Sequence, residues 1–305
     1  MKTEIVDPSK IFFAVQWLKK GEPIVFPTET VYGLGAPIFN VTAVKKIFSI
    51  KGRPSDNPLI VHVSSIDEAL SLIDEVPPSF LLLAHHFWPG PLAFVLKAKP
   101  HIPQVVSAGQ PTIAIRMPSH PVALQLIREV GSPLAAPSAN LSGKPSPTCA
   151  KDAAEDLEGK VALIIDGGPS LIGIESTVLS LAHSEPTLLR PGQITKKELE
   201  EVLQQKIVEP SLSPDAPILS PGTKYRHYAP QAAVRLVYNR EELRGPCILS
   251  RFPLKGEKLL CKQTLFSEFR EADRRKEAVI EIYCDPLIET DAALMNRLLK
   301  ASGRG

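Results

Sequence analysis

IVFPTETVYGLGAP, residues Ile24 to Pro37, joins a short apolar run to a crowd of polar side chains. Ile24, Val25 and Phe26 predict a buried strand that ends at Pro27, after which Thr28, Glu29 and Thr30 precede Tyr32 and the small residues Gly33, Gly35 and Ala36. A strand running into a polar, glycine-flexed loop is the unit from which ligand sites of open α/β sheets are built, because the strand fixes position while the loop exposes hydroxyls and backbone amides. A surface turn capped by threonine has the same local composition. Recurrence of the unit along the chain is what separates the two.

Upstream, Asp7-Pro8 predicts a helix start, and Ile11, Phe12, Val15 and Leu18 recur at helical spacing until Gly21. Downstream, Asn40 caps a helix bearing Val44, Ile47 and Phe48, which ends at Lys51. Lys51, Arg53 and Pro54 then lead through Asn57 and Pro58 into a strand over 59–63 that carries His62. Two cations at a helix C-terminus can simply complement its dipole. The Gly and Pro that space them, and the Asn and His that follow, favour phosphate binding.

Helices are predicted over about 66–73 and 78–87, followed by a strand over 92–96. Gln110 to Pro118, with Thr112 among its residues, predicts a further strand ending on a lone Arg, Arg116, a cation that is costly to bury unless an anion meets it. Residues 133–137 (PLAAP) form a short apolar run into SANLSGKPSPT, a loop rich in hydroxyl and amide groups that includes Ser138, Asn140 and Ser146. A strand over 161–165 follows, then a polar turn around Ser176, then a strand that ends at Arg190-Pro191-Gly192. Thr195 with Glu198 is a capping box.

Composition bounds the class. The chain has 305 residues, enough for two domains, and its 44% hydrophobic and 22% charged content suits an ordinary globular protein. A net charge of +2 supplies no global field for nucleic acid or membrane, so any basic site must be local. Cys149, Cys247, Cys261 and Cys284 lie far apart without ligand spacing, which predicts free thiols in a reducing compartment. With no signal-like N-terminus and no membrane-length apolar run, the expected location is the cytoplasm.

Residues 209–231 are Pro-rich and weakly periodic, marking a linker between a domain over 1–208 and a small α/β domain over 232–305. Lys224-Tyr225-Arg226-His227-Tyr228 is too aromatic and basic for a passive spacer. There is no phosphate-binding P-loop, complete dinucleotide fingerprint, nucleophile elbow or H-E-x-x-H helix. What remains is a set of cations and hydroxyls at strand ends, which suits a substrate with both a polyphosphate and a carboxylate and points to ATP-dependent activation.

In order, PTETVYGLGA, KGRPSDNPLIVHV, WPGPLAFVL, IAIRMPSHP, APSANLSGKPSPT, IESTVLSL and LLRPGQI resemble the motifs of the YrdC-like family of threonylcarbamoyl-AMP synthases. SPGTKYRHYAP, followed by a domain ending in LMNRLLKAS, resembles the longer, two-domain branch. The resemblance implies a twisted mixed α/β sheet with a concave basic face, joining L-threonine, bicarbonate and ATP into L-threonylcarbamoyladenylate and pyrophosphate. That product would feed the t6A modification at position 37 of tRNA through downstream transferase proteins, so that tRNA is met indirectly and no membrane is involved.

By the same resemblance, threonine would contact Thr30, His62, Arg116, Ala136 (through its backbone) and Ser176. The nucleotide would be held by Lys51, Arg53, Asn57, Thr112, Ser138, Asn140, Ser146 and Arg190, with Tyr225 or Tyr228 from the linker. Lys51 and Arg53 are the expected catalytic charges, Mg²⁺ the expected cation, and Glu29 a metal or hydroxyl contact. The linker is expected to close as a water-excluding lid. The rival class is a non-catalytic module for double-stranded RNA or tRNA; single cations without interleaved aromatics argue against it.

Overall fold

The computed structural model describes residues 2–209 and 227–303. Among them, ten strands form one mixed sheet: β1 (Glu4–Val6), β2 (Ile24–Phe26), β3 (Gly33–Pro37), β4 (Ile60–His62), β5 (Leu92–Lys97), β6 (Thr112–Arg116), β7 (Leu134–Ala135), β8 (Leu163–Ile165), β9 (Thr177–Ser180) and β10 (Thr187–Arg190). Their order across the sheet is β1-β8-β2-β3-β7-β4-β6-β5-β9-β10. The expected mixed α/β sheet is thus present.

Local signals position several helices as the sequence predicts. The Asn40 side chain accepts from Ala43 N at the start of helix Val41–Lys51, and Gly52 ends that helix in the left-handed region at φ 60°. The Thr195–Glu198 capping box opens helix Lys196–Leu203.

One expectation needs correcting. Gly33 to Pro37 is strand β3, antiparallel to β2, and the polar loop is only 27–32. Gly35 is there for packing against Phe26: a Cβ on Gly35 would lie 2.6 Å from the Phe26 ring. The glycine that looked like ligand clearance is clearance for the core.

The two faces of the sheet are covered unequally. On one, Val25, Leu34, Val61, Phe94 and Ile115 pack with Ile47, Leu83 and Ala153 from the helices Val41–Lys51, Pro78–Phe87 and Ala150–Leu157. On the other, helices Ile11–Lys19 and Pro121–Val130 cover only the end around β2, β8 and β7. Beyond them Ile60, Ala93, Val95, Ala114 and Val178 form a patch made of strand residues alone, joined in register across β4, β6, β5 and β9. That stretch of sheet face is where the site sits.

A second sheet, all parallel, has the order β11 (Ala233–Val237), β14 (Val279–Tyr283), β12 (Ile248–Ser250), β13 (Lys258–Leu259). Helices Leu265–Arg274 and Ala292–Ala301 pack in its core, and the first of these was not anticipated from sequence. The same core takes in Val31 and Ile174 from the large domain. Both residues adjoin site loops, so the small domain is packed directly against the site.

Candidate active site

Residues from eight segments converge on an open cleft of about 70 Å³. Its floor is sheet: Ile60 and His62 alternate on one face of β4, Arg116 stands opposite His62 on β6, and Ala136 donates from its backbone to the Ile60 carbonyl. Its walls are Thr30 and Val31, Arg53, Ser138, Ser176 with Glu175, Arg190, and His227 with Tyr228. The cleft therefore lies over the uncovered sheet face, with His62, Arg116 and Arg190 each the last residue of its strand, at the strand ends that the sequence points to.

At one end the 27–32 loop is locked before any ligand arrives. Thr28 Oγ1 donates to the Val31 carbonyl at 2.6 Å and lies 2.9 Å from Thr30 Oγ1. Backbone bonds tie Glu29 to Ile172, Thr30 to Gly173 and Tyr32 to both Pro147 and Ala139. The buried Tyr32 hydroxyl donates to the Gly168 carbonyl at 2.6 Å.

Arg116 Nη1 then donates to Thr30 Oγ1 at 2.8 Å and its Nε to the Gly90 carbonyl at 3.2 Å. Arg116 Nη2 stands 2.6 Å from the Glu29 carboxylate, with both side chains buried. That approach is close enough to pair charges but is not aligned as a hydrogen bond; Nη2 and both Glu29 oxygens lack a hydrogen-bonded partner among the described residues. Buried groups left in this state are costly; a ligand carboxylate reaching Nη2 would satisfy Arg116, while the Glu29 oxygens need a donor such as a ligand ammonium or hydroxyl. His62 beside them is neutral: burial, and secondarily the Arg116 charge, push its pKa down to about 3. It can offer shape and one N–H, but no positive charge.

At the other end cations gather. Arg190 donates through Nε to the Ser176 carbonyl at 3.1 Å and through Nη2 to Ser176 Oγ at 3.2 Å. Gly192 lets this turn approach: a Cβ there would lie 2.3 Å from Thr177 N. Arg53 is braced by Asn57, whose Oδ1 accepts from Nη2 at 2.6 Å. Burial, followed by the Arg53 charge, brings the His227 pKa down to about 4. Glu175 is buried, which pushes its carboxyl up, but Arg297 and Arg190 outweigh that and hold it below the ordinary carboxylate value.

The remaining predicted residues divide into three groups. Ser138 lines the cleft, and Asn140 accepts the Ser138 hydroxyl at 2.5 Å. Lys51, Asn57, Asn140 and Ser146 stand one layer behind the cleft wall: Lys51 Nζ donates to the Ser138 and Asn140 carbonyls, and Ser146 Oγ to Glu175. Burial holds the Lys51 amine well below its usual pKa, so its visible task is shaping the 138–140 loop. Thr112 is not brought to the cleft; it pairs with Lys97 at the far end of β6, four residues or roughly 13 Å from Arg116, and lines a separate hollow with Lys97 and Leu181.

Tyr228 lines the cleft, whereas Tyr225 and most of the predicted lid lie outside the described residues. Glu29 faces Arg116 rather than an open metal position. Among the described residues no group of three His, Cys, Asp or Glu side chains could hold a metal ion, so the donor set forms no protein cage for Mg²⁺. Sequence reasoning missed Glu175, Arg297 and His227 as parts of the site. Also among the described residues, no helix is long and apolar enough to cross a membrane.

A mixed sheet whose uncovered face floors a cleft of fixed cations, hydroxyls and two neutral histidines defines an α/β protein with a basic cleft. Two family models match the chain: Sua5_yciO_yrdC, described as telomere recombination, over residues 16–192, and the threonylcarbamoyl-AMP synthase C-terminal domain over residues 194–303. The chain belongs to the Sua5/YciO/YrdC family, in the form that carries this additional C-terminal domain. It is 44% identical to a threonylcarbamoyl-AMP synthase of Bacillus subtilis, over 97% of this chain and 94% of that protein. It is 41% identical to one of Pyrococcus abyssi, over 98% and 96%. The crystal structure of P. abyssi Sua5 complexed with L-threonine superposes with a TM-score of 0.90 at 40% identity, covering 99% of this chain and 97% of that one.

Proposed function

We propose that the protein is a threonylcarbamoyl-AMP synthase, a nucleotidyltransferase that joins L-threonine, bicarbonate and ATP into L-threonylcarbamoyladenylate and pyrophosphate for tRNA t6A37 formation. The observation that carries this reading is Arg116, buried on the sheet face with Nη2 lacking an aligned hydrogen bond, beside Thr30, His62, Ala136 and Ser176. The match in fold to a relative crystallised with L-threonine supports the same placement of the amino acid.

The chemistry asks little of an acid or base. Arg116 takes the amino acid's carboxylate, leaving the amine to add to the carbon of CO₂ or bicarbonate with loss of a proton or of water. A carbamate oxygen then attacks the α-phosphorus of ATP, the bond to the β-phosphate oxygen breaks, and pyrophosphate leaves with the negative charge. The protein's work is positioning and charge compensation. Arg53 and Arg190 lie on the cleft wall and would offset that charge, and Lys51 holds the loop that presents Ser138. Mg²⁺, which favours substrate phosphates over all-protein cages, would come with the nucleotide.

The decisive assay is pyrophosphate release in the presence of ATP and bicarbonate, with and without L-threonine, with the adenylate identified by mass. Release that depends on threonine is the expected result. Release indifferent to threonine, or RNA binding without turnover, would overturn the assignment.

A further inference from the structure

We infer that Arg297, on the last helix of the small domain, is a positioning residue for the nucleotide end of the cleft. It joins the backbone on both flanks of the Ser176–Arg190 pair and, through Glu175, reaches Ser146. Its Nη2 donates to the Glu175 carbonyl at 3.1 Å, its Nη1 to the Pro191 carbonyl, and its Nε to Glu175 Oε2 at 3.1 Å. Glu175 immediately precedes Ser176 and Pro191 immediately follows Arg190, the two residues that hydrogen-bond each other across the cleft wall. The second Glu175 oxygen accepts from Ser146 Oγ. The same guanidinium lies 5.6 Å from the centre of the Tyr228 ring, another part of the wall.

The placement is expensive unless it serves the site. Arg297 is fully buried, on a helix face otherwise made of Ala293, Leu294, Leu298 and Ala301. An apolar residue there would pack the helix as well, since replacing a buried ion pair by well-packed apolar groups is often neutral or stabilising. Here the fork of donors is instead spent on site backbone and on one carboxylate. The electrostatics give the coupling a direction. Glu175 stands between Arg297 and Arg190, and both hold it ionised. With Arg297 gone, Glu175 would draw its compensating charge from Arg190 and Lys300 and would compete with an anionic substrate for Arg190. Nucleotide affinity would then fall while Arg116 and Thr30, at the opposite end, keep their own partners.

The inference rests on assigning Ser146 and Arg190 to the nucleotide, so the test separates the two. In the full-length chain, R297M, R297K and R274Q are compared with the unsubstituted protein for the KM of ATP and of threonine, for ATP affinity by calorimetry without threonine, and for Tm. Arg274 bridges the domains elsewhere, to Asp152 and Glu155, and reports docking without the site. Loss of charged hydrogen bonds in R297M should weaken ATP binding about tenfold and raise the threonine KM by less than about threefold, with R297K recovering part of the loss. R274Q should move only Tm.

Equal weakening of both substrates, or an R297M that changes Tm alone as R274Q does, would overturn the coupling. If R297M does not fold, R297K decides: a smaller loss of ATP affinity with threonine unaffected supports it, and unchanged ATP binding refutes it. The calorimetric measurement still reads the coupling if synthase activity itself proves absent.

Discussion

The two ends of the cleft are built on different plans. At the Arg116 end every fixing contact comes from the large domain: Thr30 and Glu29 from the 27–32 loop, Gly90 from the turn before β5, His62 from β4. At the Arg190 end the contacts cross between domains, since Glu175, Pro191 and Tyr228 all meet Arg297 of the small domain. The polar contacts of the first end lie within one folding unit, although Val31 of its loop packs in the small domain's core. The second is complete only when the small domain is docked, through Arg297 and through Arg270 and Arg274 on Asp156, Asp152 and Glu155. On the proposed assignment, an amino-acid end whose polar contacts stay in the large domain, beside a nucleotide end finished by a second domain, would let the latter be tuned with less effect on the former.

The largest effect that could break this contrast is at Arg116. Truncating one partner of a buried charge pair costs about 2–5 kcal/mol, so Arg116→Ala should reduce threonine affinity roughly 100-fold or more. ATP affinity should stay within about threefold; a parallel loss of both, measured by separate titrations, would dissolve the distinction between the ends. Because the substitution strands the Glu29 charge, the double variant R116A/E29Q should regain thermal stability without regaining threonine binding.

Next in size is Gly35→Ala. Its Cβ would meet the fully buried Phe26 ring, which itself lies 6.1 Å from the His62 ring, so overpacking should cost about 1–3 kcal/mol in a urea melt. Binding at the Arg190 end should be spared in the fraction that folds.

A pH titration sharpens the contrast further. Folding keeps His62 neutral with a pKa of about 3, whereas the unfolded chain takes up a proton near 6.5. Its contribution is therefore full above pH 6.5 and is lost as pH falls toward 3. At pH 5 the loss is about 2 kcal/mol relative to pH 7, and His62→Gln should flatten that part of the curve. Smallest is Arg274→Gln. Arg274 and Glu155 are partly exposed but Asp152 is buried, so a loss of about 1 kcal/mol is expected from a Tm comparison, with both substrate affinities unchanged.

Much of the fold was legible because its signals are local. Asn40 with Gly52, and Thr195 with Glu198, mark helix ends through side-chain and backbone geometry that needs no distant partner. β1 was not legible: three residues, exposed or half-buried, take strand form only through parallel pairing with β8, more than 150 residues away. Gly33 to Pro37 looked like a flexed loop because glycine has poor strand propensity, and only the Phe26 ring explains it. Arg297 left a trace that went unused: with Leu294, Leu298 and Ala301 at helical spacing, it falls on the apolar face of the last helix. An arginine on such a face must find acceptors from another element.

The sequence by itself determined which side chains could do the work: Thr30, Arg53, His62, Arg116, Ser138, Ser176 and Arg190 are named by residue type and local context, and all of them line the cleft. Tertiary structure decided the depth and the division of that site. It set Lys51, Asn57, Asn140 and Ser146 behind the wall, left Thr112 at the other end of its strand, and brought Arg297 in from the far end of the chain. Capping and strand periodicity act over a few residues and are written locally. Which strands share a face, and which buried charge meets which carbonyl, depends on pairings between distant segments, 87 residues apart for Lys51 and Ser138 and 122 for Arg297 and Glu175, and the latter forms only when both domains are packed.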